Sequence, residues 1–575
     1  MNMITLFRRN VFFGLLIFFQ FSCSSRHPAD LVIHGGKIYT VNEANQVAEA
    51  VVVEGDKITF VGAMADAEKF IGDKTKVIDL QGKILTPGFI EGHGHLMDVG
   101  YNELELDLSQ IRSYDEMIDK VREAVSKSSP GEWILGRGWH QDKWNVRPEG
   151  MVKGFPVHKK LSEVSPNNPV FLEHVSGHAA LANAKAMELA GVNQLSIEKY
   201  KREEGDGGEV VRDALGNPTG LFNERAIDLI EGHLPANAGE RDASALELAI
   251  KACQRNGLTS FHDAGATRQE IDLFHQFKKN GKLGVRLYVM VTGRDSDLVY
   301  ERLRKGPEID TTDNMLTVRA IKLNCDGALG SRGAWLLAPY TDRPDFSGMA
   351  TLSMDTVIKI AREALKHDFQ VCSHAIGDRA NREILDRYEI AFKENPGKSS
   401  DHRFRIEHAQ HLHPNDIPRF AKLGVIPAMQ AIHMSSDRPW AIERLGEQRI
   451  KEGAYMWQAL LKSGARIVNG TDAPVEPLNP IPSFYASVTR KTLKGLPEGG
   501  YEPGQKMTRE QALRSYTLDA AFGAFEEKSK GSIEPGKLAD FTVFTKDLMA
   551  IPENNILQTE VSMTILGGKV VYQTP

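Results

Sequence analysis

Two imidazoles two residues apart close the apolar stretch Thr86-Pro-Gly-Phe-Ile-Glu-Gly-His-Gly-His95. In an extended chain that spacing points His93 and His95 to the same side, so both rings can reach one ion. Gly94 between them carries no side chain to obstruct it, and Gly92 lets the backbone bend where the strand ends. A histidine pair alone does not make a metal site, and further donors at matching positions are needed. Lys322, His374 and His408 each stand at the end of a strand-like run, and Asp472 follows another in Val468-Asn-Gly-Thr-Asp-Ala-Pro474. Singly, each has an ordinary reading: a satisfied buried histidine, a lysine paired with Asp326, an aspartate capping a helix before Pro474. Jointly they point to a metal centre. Imidazole and carboxylate suit Zn²⁺ and related divalent ions, which bring bound water from a pKa near 15.7 toward about 7 and so make hydroxide available at neutral pH.

The elements that must position these donors can be read from periodicity. Strand-like apolar runs cover 84–90, 258–262, 285–291, 317–323, 369–374, 404–408, 424–430 and 465–469. Helical patterns fall between them at 355–367, 379–394, 414–423 and 455–463, and Thr508-Arg-Glu-Gln511 has the form of a capping box. Eight strands alternating with helices predict an α/β fold, a distorted TIM (β/α)8 barrel whose chemistry sits at the C-terminal strand ends. Residues 30–84 and the last fifty or so alternate as short strands, with Gly35-Gly36 and Gly55-Asp56 placed as turns. The two ends are expected to pair into one small composite β-sandwich domain. The organisation predicted is thus 24–84 with 525–575 as that domain, and 85–524 as the barrel, with an insertion at about 100–250. Long insertions at this rim serve as lids or binding walls.

Composition excludes some partners. A formal net charge of −6 gives no electrostatic case for nucleic acid. With 41% hydrophobic residues the chain can bury a large core, and a small-molecule substrate is expected. Oligomeric state is left open, a homo-oligomer included. Arg8 and Arg9 precede an apolar run at 11–21, too short to span a bilayer but the length of a signal-peptide core. Ser22-Cys23-Ser24-Ser25 follows and resembles a bacterial lipobox, although Gln20 departs from the usual Leu. Residues 1–23 are therefore expected to be a signal peptide with lipobox, and the protein an exported periplasmic or cell-surface lipoprotein anchored to a membrane at Cys23. Cys253, Cys325 and Cys372 are then an odd number without paired spacing and read as buried small hydrophobes.

The donor set is similar to that of the amidohydrolase superfamily. His93-Gly-His95 matches its first-strand motif, Lys322 its fourth-strand lysine, His374 and His408 its fifth- and sixth-strand histidines, and Asp472 its eighth-strand aspartate. More narrowly, Lys322-Leu-Asn-Cys-Asp-Gly-Ala-Leu-Gly-Ser-Arg332, His374-Ala-Ile-Gly-Asp-Arg-Ala380, Arg405-Ile-Glu-His-Ala-Gln410 and Asn469-Gly-Thr-Asp-Ala-Pro474 resemble the branch of N-substituted formamide deformylase-like enzymes. The resemblance implies a metal-dependent hydrolase of non-peptide carbon–nitrogen bonds (amides, formamides, cyclic amides), with one or two divalent ions, zinc first among them. It also implies that Lys322 is carboxylated and bridges two ions, and that Asp472 is general base and then acid. Within the insertion, Gly136-Arg-Gly-Trp-His-Gln-Asp-Lys-Trp144, Ser176-Gly-His-Ala-Ala-Leu-Ala-Asn183 and Pro218-Thr-Gly-Leu-Phe-Asn-Glu224 resemble the same branch, with His140 departing from it. Trp139, His178 and Glu224 are the pocket candidates there, and Arg332 and His433 face the rim. Two other readings remain: an exported lipoprotein that binds ligand on an inactive barrel, and a deaminase or lactone hydrolase using the same metals.

Overall fold

The computed structural model describes residues 28–198, 208–234 and 238–574. Cys23 and the apolar run before it lie outside the described residues. Eight parallel strands, Phe89–Gly94, Leu258–Ala266, Arg286–Thr292, Leu316–Asn324, Gln370–Ala375, Arg405–His408, Ile426–Met429 and Val468–Asn469, each pair with the next in that order. They are referred to below as barrel strands one to eight. Each is almost wholly buried, as parallel strands sandwiched between helices and a packed interior must be. The helices present one apolar stripe: Met354–Lys366 buries Val357, Ile360, Ala361 and Ala364 and is capped by Ser353, whose side chain accepts from Thr356 N–H. The capping box at Thr508 is present, and Thr267 with Glu270 forms another.

Strand eight is only two residues long, and the ladder does not run from it back to strand one. The seam is closed by the loop that follows it. Thr471 N–H donates to Glu91 Oε1 (2.6 Å), Asp472 N–H to His93 O (2.8 Å), and His95 N–H to Ala473 O (2.8 Å). The bonds that close the barrel thus join the two segments that carry His93, His95 and Asp472. Inside the barrel, Tyr288, Met290, Ala264, Ala320 and Cys372 pack together under the rim. Cys253, Cys325 and Cys372 are free and buried.

Two further sheets flank the barrel. One takes strands from both ends of the chain, in the order Lys569–Gln573, Val561–Leu566, Phe541–Phe544, Ile84–Pro87, Leu31–Tyr39, Val47–Glu54, Lys57–Gly62, with Lys76–Asp79 beside Leu31–Tyr39. The other, six-stranded, comes from the stretch between barrel strands one and two, and includes Ile134–Trp139, Val170–His174, Ala179–Ala182 and Pro218–Glu224.

Two expectations about the elements need correction. The run 84–90 is two strands. Ile84–Pro87 pairs antiparallel with Phe541–Phe544, and Phe89–Gly94 opens the barrel. Gly88 is the crossing point, where a Cβ would sit 2.1 Å from Thr259 Oγ1, so only glycine lets the chain pass from one sheet to the other. Gly35-Gly36 is not a turn either. It lies inside Leu31–Tyr39, where the pairing register with Val47–Glu54 shifts, and a Cβ at Gly36 would meet Lys83 O at 2.0 Å. The glycines serve a bulge and a close approach, not a reversal. Gly55-Asp56 does form the hairpin between Val47–Glu54 and Lys57–Gly62.

Candidate active site

His93 is the best-supported side chain at the rim. Its Nδ1 lies in a very short contact with Glu407 Oε2, and Glu407 is in turn held by Arg405, whose Nε donates to Oε1 (2.7 Å) and Nη2 to Oε2 (2.7 Å). Arg405 Nη2 also donates to Gly92 O at 2.7 Å, so strand six braces strand one. Burial alone would raise the Glu407 carboxyl, but Arg405 and His93 outweigh it and hold it well below the usual range. An ionised carboxylate accepts the Nδ1 proton, which leaves the lone pair on Nε2 turned toward the rim. There it meets Lys322 Nζ at 3.3 Å and Asp472 Oδ1 at 3.5 Å.

The other predicted donors converge on the same spot. His95 Nε2 is 3.3 Å from Asp472 Oδ1, and His408 Nδ1 and His433 Nε2 are each 4.0 Å from Oδ2. The His374 and His408 rings are 4.4 Å apart, edge to face. Two clusters could each hold a cation: His93, His95 and Asp472, and His408, His433 and Asp472. His433, expected only to contact substrate, therefore joins the donors. His374 lies outside both clusters, with Nε2 3.4 Å from Asp326 Oδ1. Lys322 is not paired with Asp326, whose oxygens accept the backbone N–H groups of Ile376 (3.0 Å), Trp335 (2.9 Å) and Gly377 (2.8 Å).

A divalent ion fits these residues. His374 Nε2, His433 Nε2 and Asp472 Oδ1 are buried without a hydrogen-bond partner, an arrangement that costs about 1–3 kcal/mol per group unless something else satisfies them. Protonation does not help, because burial holds His93 down to about 4 and His374 and His408 well below the usual imidazole value. Burial raises Asp472, but His95 close to Oδ1 and the neighbouring rings prevail and hold it well below the usual carboxylate value. Neutral rings around a carboxylate are a cation's donor set.

Two cavities meet at this floor, both lined by His178, His374, His408 and Asp472. One is walled by apolar groups including Leu329, Ile376, Trp440 and Val475. The other is polar and includes Arg137, Glu173 and Arg294.

Comparison with known proteins agrees with this geometry. The amidohydrolase family model described as "Amidohydrolase family" matches residues 76–572. The chain belongs to the amidohydrolase family. Over 564 residues it is 33% identical to Protein LONG AFTER FAR-RED 3 of Arabidopsis thaliana, covering 95% of this chain and 92% of that one. It is 27% identical to the N-substituted formamide deformylase of Arthrobacter pascens over 560 residues, covering 95% and 98%. Among solved structures, a metal-dependent hydrolase from Pyrococcus horikoshii superposes with a TM-score of 0.72 at 26% identity, over 91% of this chain and 99% of that one. As an amidohydrolase the chain is a metal-dependent hydrolase, of the enzyme class that acts on carbon–nitrogen bonds other than peptide bonds.

The amidohydrolase insertion supplies part of the site, but not through all the expected residues. His178 is in place, with Nδ1 2.7 Å from Glu224 Oε2; burial opposes its charge, yet Glu224 raises it above the ordinary value. Glu224 lines neither of these two cavities. It reaches back against Gly327 and Gly333, where a Cβ would come within 2.2 Å and 2.6 Å of Oε1, and holds His178 from behind. Trp139 is fully buried, donates from Nε1 to Leu172 O (2.9 Å) and packs on His174, so it is core and not pocket wall. Arg332 is also off the cavity. It pairs with Asp342 (2.8 Å), which Arg444 binds at 2.6 Å while reaching Asp142 of the insertion at 3.1 Å. Both residues point away because a partner on the far side satisfies them. Sequence spacing does not mark Glu407, His140, His174 or Trp440 for this site. Glu407 lies within the quoted motif Arg405 to Gln410, directly before His408, and that adjacency was its one available signal.

Proposed function

We propose that this amidohydrolase hydrolyses a non-peptide amide, formamide or cyclic amide, with attack on the carbonyl at Asp472. The observation that carries the reading is the unpaired, buried Asp472 Oδ1 between His93 and His95, at the floor shared by both cavities. His93, His95 and Asp472 would hold one ion, and His408, His433 and Asp472, with His374 beside them, a second. When bound, such an ion polarises the scissile carbonyl and acidifies water, and zinc suits the imidazole and carboxylate donors. Asp472, ionised and without a hydrogen-bond partner on Oδ1, accepts the proton of the attacking water and returns it to the departing amine nitrogen. His178 stands on the floor of both cavities with its pKa raised by Glu224, placed to donate to the carbonyl oxygen as negative charge builds there. The polar cavity with Arg294 suits the solvated side of the scissile bond; the apolar one suits an aryl group, on the amine or the acyl side.

Carboxylation of Lys322 is part of this reading. Burial pushes its amine down, against the opposing pull of Glu407 and Asp472. A free base is the form that adds CO₂: the Nζ lone pair forms the N–C bond, one N–H proton leaves, and a carbamate anion replaces the cation that the rings disfavour. The reading also keeps export and anchoring at Cys23, which rest on the N-terminal pattern alone.

The test is a library of amides, formamides, cyclic amides, lactones and aminopurines offered to metal-loaded protein, with wild type beside Lys322→Ala and Lys322→Arg. Amide or formamide cleavage is expected, with both variants losing at least 100-fold in turnover and about half of the bound metal. Turnover confined to lactones or to ammonia release, or full activity in Lys322→Arg, would overturn the reading.

A further inference from the structure

The apolar cavity is not uniformly apolar. His174 Nδ1 accepts the backbone N–H of Ser176 (3.2 Å), and His140 Nδ1 accepts that of Asp142 (3.1 Å). A backbone N–H can only donate, so each ring carries its own proton on Nε2. His174 Nε2 is buried and has no partner, and among the described residues His140 hydrogen-bonds through Nδ1, which leaves Nε2 for the cavity it lines. The third ring of the cluster, Trp440, also has a buried Nε1–H without a partner. The His140 ring is 4.6 Å from His174 and 5.9 Å from Trp440, and all three line the cavity whose floor is Asp472, His374 and His408. His140 and His174 are 6% and 3% exposed, which leaves bulk water little access to either.

Three ring N–H groups without an acceptor, in a cavity whose apolar wall includes Leu329, Ile376 and Val475, define what would satisfy them. We propose that this cavity binds a substrate group that is apolar or aromatic in body and bears a neutral acceptor oxygen, received by His140, His174 and Trp440. A ketone, ester or second amide carbonyl on an aryl ring has that chemistry. A carboxylate fits less well. Asp437 and Glu476 line the same cavity, and the one ammonium there, Lys143, already lies 4.0 Å from Glu476. The inference rests on the proposed function only for what lies next to the cavity, namely the bond to be cut; recognition of the oxygen stands on the donors alone. A site built to hydrogen-bond a substrate oxygen rejects an analogue lacking it, because its donors are then left unpaired.

The probes are 4-acetylacetanilide and its isopropenyl counterpart, in which the ketone C=O is replaced by C=CH₂ of similar shape. Binding to metal-loaded, full-length protein is measured by calorimetry, and aniline release is followed separately. Wild type should bind the acetyl probe at least tenfold more tightly, and the preference should fall to threefold or less in His174→Phe and His140→Phe, with Trp440→Phe intermediate. Equal binding, no binding of either probe, or a preference untouched in all three variants overturns the inference. If a variant fails to fold, the wild-type comparison decides alone. A preference without aniline release would leave the cavity assignment standing and count against the proposed function; release without a preference would do the reverse.

Discussion

At the scale of single residues, His411 shows what a buried imidazole costs when nothing uses it. It is 3% exposed, packs on Tyr455, and neither ring nitrogen has a hydrogen-bond partner. Burial lowers its pKa to about 3, against about 6.5 for an unfolded imidazole. The sign follows from proton uptake. Below pH 6.5 the unfolded chain binds a proton that the folded chain cannot, so this histidine subtracts from stability progressively down to about pH 3. His411→Phe, of similar shape and without the desolvated nitrogens, should be neutral or mildly stabilising at pH 7.5. Its advantage should grow by about 2 kcal/mol at pH 5. Other groups titrate in the same window, but they cancel in the difference between variant and wild type. Urea midpoints at the two pH values check this, and an advantage that shrinks on acidification refutes it. Legibility at this scale was uneven. His93 and His95 could be placed from alternation along a strand. His408 and Asp472 reach the floor from backbone with φ of 71° and 60°, which no residue pattern announces. His140 meets Trp440, with His174 against its other side, only because the insertion folds over the barrel, and spacing along the chain says nothing of that.

At the scale of elements, the seam between strands one and eight decides whether donors on both can meet. Gly92 lies against it: a Cβ there would come 2.4 Å from both Asn469 O and Val468 Cγ1. Gly92→Ala is expected to push strand eight away from strand one and to cost about 1–3 kcal/mol, as overpacked buried sites do. The bonds from Asp472 N–H to His93 O and from His95 N–H to Ala473 O would lengthen with it. Metal content and activity should therefore fall although no donor is removed, whereas Gly397→Ala, where a Cβ meets nothing within 4 Å, should keep both. Full metal occupancy in Gly92→Ala would show that the seam does not set the site. Five of the barrel strands, those expected at 285–291, 317–323, 369–374, 404–408 and 424–430, were legible to within two residues at both ends, because parallel strands buried on both faces read as unbroken apolar runs. The same property hid the boundary at Gly88. An apolar run shows burial but not which sheet it enters, and only the clash a Cβ would make with Thr259 separates the two.

For the whole molecule, the sheet built from both ends ties the last segment of the chain to the barrel. Phe541–Phe544 pairs on one side with Ile84–Pro87 and on the other with Val561–Leu566. Ile84–Pro87 leads through Gly88 directly into barrel strand one. The tie is also ionic: Asp540 takes Arg286 of strand three in two bonds, Nε to Oδ2 at 2.6 Å and Nη2 to Oδ1 at 3.0 Å, with both side chains nearly inaccessible. Removing one partner of a buried pair strands the other, which costs about 3–5 kcal/mol. That the ends meet was suggested by their shared alternation; that they do so with Ile84–Pro87 and Phe541–Phe544 between the outer strands was not, since register depends on contacts across more than 450 residues of chain. Two outcomes are expected. Asp540→Ala should lower the melting temperature by several degrees while leaving the donors of the site intact, so activity per folded molecule stays near wild type. Truncation after residue 530 should do more, since it removes Asp540 together with three strands and exposes Leu85 and the apolar face of Leu31–Tyr39. An exposed, unpaired strand edge of that composition templates aggregation, so the truncated chain should be recovered insoluble although it retains every candidate donor. A soluble, metal-loaded truncation would instead mean that the barrel stands without the shared sheet, and that the two ends pair without supporting it.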